Sequence, residues 1–100
     1  MEKLEVRILP SAAMKLSRQV EWYYNNKGKS FSVSLMKNTL SDIDAISVMP
    51  DIGRSIPIVG KRKYRVFISH KKCLIKYWYS SRTLYITDIV FTDTHFPRFF

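Results

Sequence analysis

A chain of 100 residues, 46% hydrophobic and 25% charged, has the balance of an ordinary globular domain and excludes a disordered tail. Seventeen Lys and Arg against eight Asp and Glu give a formal charge of +9, which points to nucleic acid, anionic lipid or an acidic protein as partner. The lone Cys73 excludes an internal disulfide and a multi-cysteine metal site, and no apolar run approaches the roughly 18 residues of a membrane span.

Taken in chain order, Leu4, Val6 and Ile8 alternate with Glu5 and Arg7, the period of a half-buried strand. Pro10 and Ser11 end it, and Ser11 is the expected N-cap of a first helix whose apolar positions are Leu16, Val20 and Tyr23 or Tyr24. Asn25-Asn26-Lys27-Gly28 closes that helix. Phe31, Val33 and Leu35 alternate with serines, but Met36, Leu40, Ile43 and Ile46 recur every three or four residues. The expectation is a second helix over 30–48, capped by Ser30 and closed before Pro50. The stretch 51–60 holds two glycines and Pro57 and reads as a loop.

Three strand segments follow: 64–68, 73–79 and 84–91, joined by short polar turns. In the last of them Leu84 and Ile86 are out of phase with Ile89 and Phe91, so a bulge near Thr87-Asp88 is required to keep all four on one face. The expected order is β-α-α-β-β-β. This is an α+β fold with a helical hairpin packed on a small, mostly antiparallel four-stranded sheet, forming a single domain over 1–100. Cytoplasmic localisation is expected, because the start, Met1-Glu2-Lys3-Leu4-Glu5, carries acids where a signal peptide needs net positive charge.

The charge is unevenly placed. Residues 1–50 hold seven bases and five acids; residues 51–100 hold ten bases and three acids. No acid lies between Asp51 and Asp88, where Arg54, Lys61, Arg62, Lys63, Arg65, Lys71, Lys72, Lys76 and Arg82 are interleaved with Tyr64, Tyr77, Trp78, Tyr79 and Tyr85. Cations and aromatic rings on shared strands suit phosphate contacts and base stacking. The same run also reads as a solvated face.

The element order and four segments together resemble the RelE/ParE superfamily of toxins from type II toxin–antitoxin systems. "VRILPSA" (6–12) resembles the first strand and helix start, and "MPDIGR" (49–54) the proline-then-glycine loop after the second helix. "KRKYRVFISHKKCLIKYWY" (61–79) resembles the paired central strands, and "LYITDIVFTDTHFP" (84–97) the last strand and its exit. The sequence departs from the family pattern at His95, where many relatives have arginine.

The resemblance implies a toxin held inactive by an acidic antitoxin and acting on one of two targets. ParE-like members poison DNA gyrase, and the Asp-Thr-x-x-Pro ending (93–97) favours that reading. RelE-like members cleave messenger RNA in the ribosome without a metal, using Lys and Arg with a C-terminal His or Tyr. On that reading Arg65 and His95 are the catalytic candidates, as phosphate clamp and proton donor. Lys61, Lys63, Arg65, Lys71 and Arg82 are candidate nucleic-acid contacts. A non-toxic basic interaction module with the same fold is the third reading.

Phe96, Phe99 and Phe100 lie beside Pro97 and Arg98 and are candidates for the antitoxin interface, or for a tail that folds back on the sheet. His70 reads as a turn residue and Cys73 as a small core residue. No cofactor and no metal site are expected, since the histidines, cysteine and acids show no ligand spacing.

Overall fold

A computed structural model describes residues 3–56, 62–69 and 73–91. The elements are β1 (Glu5–Ile8), α1 (Pro10–Asn26), α2 (Lys29–Val48), β2 (Arg54–Ser55), β3 (Arg65–Ser69), β4 (Cys73–Tyr79) and β5 (Thr83–Phe91). The strands form one sheet in the order β1-β5-β4-β3-β2. β1 runs parallel to β5, and the other three pairings are antiparallel. Leaving β1 at one edge, the chain forms the helical hairpin, reaches the opposite edge at β2, and meanders back to lay β5 beside β1. The α+β class and the element order agree with the sequence expectation. The strand count does not: the sheet has five strands, because Arg54 and Ser55, inside the expected loop, pair with Val66 and Arg65. Two residues are too short to show a period.

Both helices begin earlier than expected. Leu9, preceding Pro10, is extended (φ −67, ψ 152) and takes the N-cap position, with proline opening the helix. Proline's ring excludes helical backbone from the residue before it and suits the first helical position, which overrides Ser11 as a cap. α2 starts at Lys29, not Ser30, because Gly28 is the N-cap residue. Its φ of 103° with ψ of 165° is a conformation open almost only to glycine. The Gly28 N–H donates to the Tyr23 carbonyl at 2.9 Å, so one residue ends α1 and aims α2.

The core lies between the hairpin and one sheet face. Ala12 and Leu16 of α1 and Ile43 and Ile46 of α2 pack on Ile75, Tyr77, Leu84, Ile86 and Ile89. α2 also buries Ser32, Thr39 and Ser47, with Ser32 and Ser47 returning their hydroxyls to the carbonyls of Lys29 and Asp44. Leu40, expected on the buried face, is 45% exposed. The bulge falls where the phase change requires it. Lys76 pairs with Asp88 and Tyr77 with Ile86, leaving Thr87 as the extra residue. Its hydroxyl donates to the Lys76 carbonyl at 3.2 Å. Leu84, Ile86, Ile89 and Phe91 are all buried as a result.

Gly28→Ala tests the hinge. No atom lies within 4 Å of the added Cβ, so the cost is backbone strain alone, about 1–3 kcal/mol. In a domain of this size we expect the thermal midpoint to fall by at least ~4 °C; calorimetry of the two proteins checks it.

Candidate functional site

Between α2 and β2 the chain crosses the core-side ends of β4 and β3, held by Tyr79, Tyr77 and Arg65. The Tyr79 hydroxyl donates to the Asp51 carboxylate. The Tyr77 hydroxyl donates to the Pro50 carbonyl at 2.7 Å and accepts from the Gly53 N–H at 2.9 Å. Arg65, the cross-strand partner of Tyr77, donates Nη1 to the Gly53 carbonyl at 2.7 Å, and its Nη2 lies 3.4 Å from the Asp51 carboxylate. Glycine is required at position 53, since a Cβ there would stand 2.6 Å from the Tyr77 hydroxyl oxygen and 3.0 Å from the Val66 carbonyl oxygen. Arg65 thus holds its own chain, a role that Asp51, the first acid before the long basic run, could have signalled in the sequence.

Burial raises the pKa of Tyr77, and the bond to Asp51 raises that of Tyr79. Burial, with a smaller contribution from Asp42, pushes the Cys73 thiol up to about 12. Cys73 is therefore a protonated core residue, not a nucleophile.

The other sheet face carries Tyr64, Lys76, Trp78 and Tyr85, with Arg62 beside them. Continuing the β3–β4 register places Tyr64 opposite Trp78, and Trp78 pairs with Tyr85, which pairs with Arg7. Trp78 and Tyr85 stack with centroids 4.2 Å apart and planes 15° off parallel. The Arg62 guanidinium lies 4.3 Å from the Trp78 ring centroid, and the Lys76 ammonium 4.7 Å from that of Tyr64. Tyr77 leaves the expected basic–aromatic set because its ring is fully buried.

Lys63 and Arg82 are exposed, Lys63 just before β3 and Arg82 just before β5. Lys61, Lys71, His70, His95, Phe96, Phe99 and Phe100 lie outside the described residues. Among the described residues no group of three or more His, Cys, Asp or Glu could hold a metal ion, and no helix is long and apolar enough to cross a membrane. On the helical side, a groove of about 170 Å³ is lined by residues that include Tyr23, Phe31, Leu35, Thr39, Cys73 and Phe91. Phe31 at its rim is 61% exposed.

No protein-family model matches this sequence, and no curated protein matches it. Among solved structures it is similar to a chain of the chromosomal ParDE TA system from P. aeruginosa, with a TM-score of 0.75 and 12% identity. The match covers 91% of this chain and 98% of that one. The two share a fold. At this identity the likeness carries the architecture alone, the RelE/ParE-like one that the sequence suggested, and this chain's function must be argued from its own residues.

The tyrosines that hold the crossing after α2, and the buried Cys73 thiol, give the fold a pH signature. Raised pKa values mean that the folded state favours the protonated thiol and phenols, so their stability is complete below the unfolded values and is lost as pH rises through the folded ones. The thermal midpoint should fall as pH rises from 9.0 toward about 12 for Cys73, joined above 10.0 by the tyrosines. Cys73→Ala should remove the earliest part of that fall. Tyr77→Phe should cost about 1–3 kcal/mol near neutral pH by stranding the Gly53 N–H and the Pro50 carbonyl. Thermal melts across the alkaline range check all three.

Proposed function

We propose that this chain is the toxin of a type II toxin–antitoxin pair, a ParE-like growth inhibitor acting on DNA gyrase and neutralised by an acidic antitoxin. The observation that carries the reading is the shared fold, spanning nearly all of both chains, with a structure described as a ParDE TA system. The +9 charge supports an acidic partner. The Asp93 to Pro97 ending resembles the ParE-like exit, and Phe96, Phe99 and Phe100 follow in sequence from Phe91, which lines the apolar groove. These phenylalanines and that groove are the antitoxin surface of this proposal. Inhibition is by binding, so no single proton donor is needed.

The commitment of Arg65 to Gly53 and Asp51 favours binding over cleavage. A RelE-like endoribonuclease would need that guanidinium free to clamp a phosphate while His95 protonates the leaving oxygen. His95→Ala separates the two. General acid–base catalysis is worth roughly 10²–10⁴-fold in rate, so a nuclease would lose its toxicity with this substitution. We expect the variant to fold by circular dichroism and to arrest growth as the parent does. DNA synthesis should fail before translation on induction. Translation failing first, with a harmless His95→Ala, would move the assignment to the ribosome; no arrest by the parent chain would leave a non-toxic interaction module. Arg65→Ala is not diagnostic, because it also releases the loop.

Association with the antitoxin should be electrostatically steered. Stopped-flow rates are expected to fall steeply from low to physiological salt. A flat dependence would remove charge from the recognition step.

A further inference from the structure

We infer that the outer flank of α2 is the contact through which two copies of this chain associate, weakly and reversibly, by antiparallel packing of α2 on α2. Val33, Lys37, Leu40 and Asp44 are spaced as one stripe of that helix, and all four are exposed. Leu40 continues the apolar period of the core-facing side, yet 45% of it stays in solvent, and Val33 is 44% exposed. Beside the stripe runs a groove of about 260 Å³ between the two helices, lined by Val20 of α1 and by Ser32, Val33, Met36 and Lys37 of α2. One turn beyond Val20, Tyr24 is exposed as well.

The charges on the stripe identify what covers it. In a two-fold contact each copy supplies both members of every pair, at equal distances from the axis. Lys37 lies three residues before Leu40 and Asp44 four after it. With the axis between Leu40 and Ser41, Lys37 of each copy meets Asp44 of the other. Val33 then meets Val48, which is partly exposed, and Leu40 packs on its own counterpart at the centre. Asp44 receives Lys3 of its own chain on Oδ1, which leaves Oδ2 for the second cation. Among the described residues no salt bridge includes Lys37. An acidic segment laid here would meet Asp44 as well as Lys37, and a basic one would meet Lys37 as well as Asp44; a second α2 complements both. One helix pair about 30 Å long falls among the small interfaces, under roughly 1,200 Å², so the association is weak and concentration-dependent. The groove assigned to the antitoxin shares no lining residue with this one, and the inference rests neither on that partner nor on the intracellular target.

Sedimentation velocity of the purified full chain, from about 5 μM to about 500 μM, tests it over the range of a weak dimer. The weight-average mass should climb from one chain toward two. Leu40→Asp should keep the parent's circular dichroism and stay monomeric throughout. Lys37→Glu and Asp44→Lys should each weaken self-association about tenfold or more, because each sets like charges across the axis. The Lys3 pair lost in Asp44→Lys is exposed and contributes little to the fold. Arg18→Gln, exposed on α1 outside the stripe, should change the association by no more than about twofold, as a surface charge away from the contact does.

Mixing Lys37→Glu with Asp44→Lys is the decisive measurement. A copy of one variant facing a copy of the other has opposite charges at both pairs, so the mixed dimer should form about as readily as the parent dimer. That result stands even if Leu40→Asp fails to fold. A parent that stays monomeric across the range, a dimer that survives in folded Leu40→Asp, or two charge variants that do not combine when mixed would each overturn the α2 contact.

Discussion

The hydroxyl of Tyr77 is where the helical layer is joined to the sheet. Its ring is buried in the core, and its oxygen bridges Pro50 and Gly53, the residues by which the chain leaves α2 and enters β2. Parallel neighbours such as β1 and β5 cannot be joined by a tight turn. Here the link from β1 to β5 passes through both helices and the whole meander. The meander can start at the correct edge only if the chain after α2 is carried across β4 and β3. Tyr79, Tyr77 and Arg65 take successive grips on that crossing. At the other end of α2's last turns, Lys3 pairs with Asp44 and the Leu4 N–H donates to Ser47 at 3.0 Å. The hairpin's exit is thus tied to strands on both sides of β5.

Thr87 makes the second constraint. A nine-residue strand that gives Leu84 and Ile86, then Ile89 and Phe91 across a phase change, to one core cluster must contain an odd residue. Placing that residue at Thr87 keeps Leu84, Ile86, Ile89 and Phe91 in the core. The same shift leaves Trp78 and Tyr85 as direct neighbours on the opposite face, where their rings stack. One bulge thereby fixes the composition of both faces. Without it, half of the strand's apolar residues would face away from the core, since a slip of one residue exchanges the faces.

The parts legible in the sequence were those with a clear period or a sterically dominant residue. The alternation at Leu4 to Ile8, the helical spacing through Leu16 and Ile43, and the phase change in β5 all led to the right element. What was missed has physical reasons. β2 is too short to have a pattern. Ser11 and Ser30 have the hydrogen-bonding chemistry of caps, but Pro10 and Gly28 decide the boundaries through backbone sterics. Ser32 and Ser47 are buried on α2 although hydropathy assigns them to solvent, because a serine that bonds its own helix leaves no polar atom unsatisfied. At the site, a basic residue in a strand reads as a ligand for an anion. That the anion for Arg65 is Asp51, fourteen residues upstream, follows only once the loop is seen to fold under the sheet.

Arg65's inward turn also reorganises the meaning of the charge. Nine bases separate Asp51 from Asp88, but the most central of them is neutralised within the fold. Of those nine, the described cations left facing solvent lie on the open sheet face and at the strand starts, among aromatic rings. The helical side differs: α2 balances Lys29 and Lys37 with Asp42 and Asp44, and exposes Phe31, Val33 and Leu40. The protein therefore offers a charged, aromatic surface and an apolar one on opposite sides of a single core. Rim charges act mainly on the rate of encounter, whereas buried apolar anchors act on the lifetime of a complex. A partner that must be captured quickly and held for long would use the sheet side to arrive and the helical side to stay. A fold this small can bind in those two ways because the Tyr77 latch and the Thr87 bulge keep its two surfaces chemically separate.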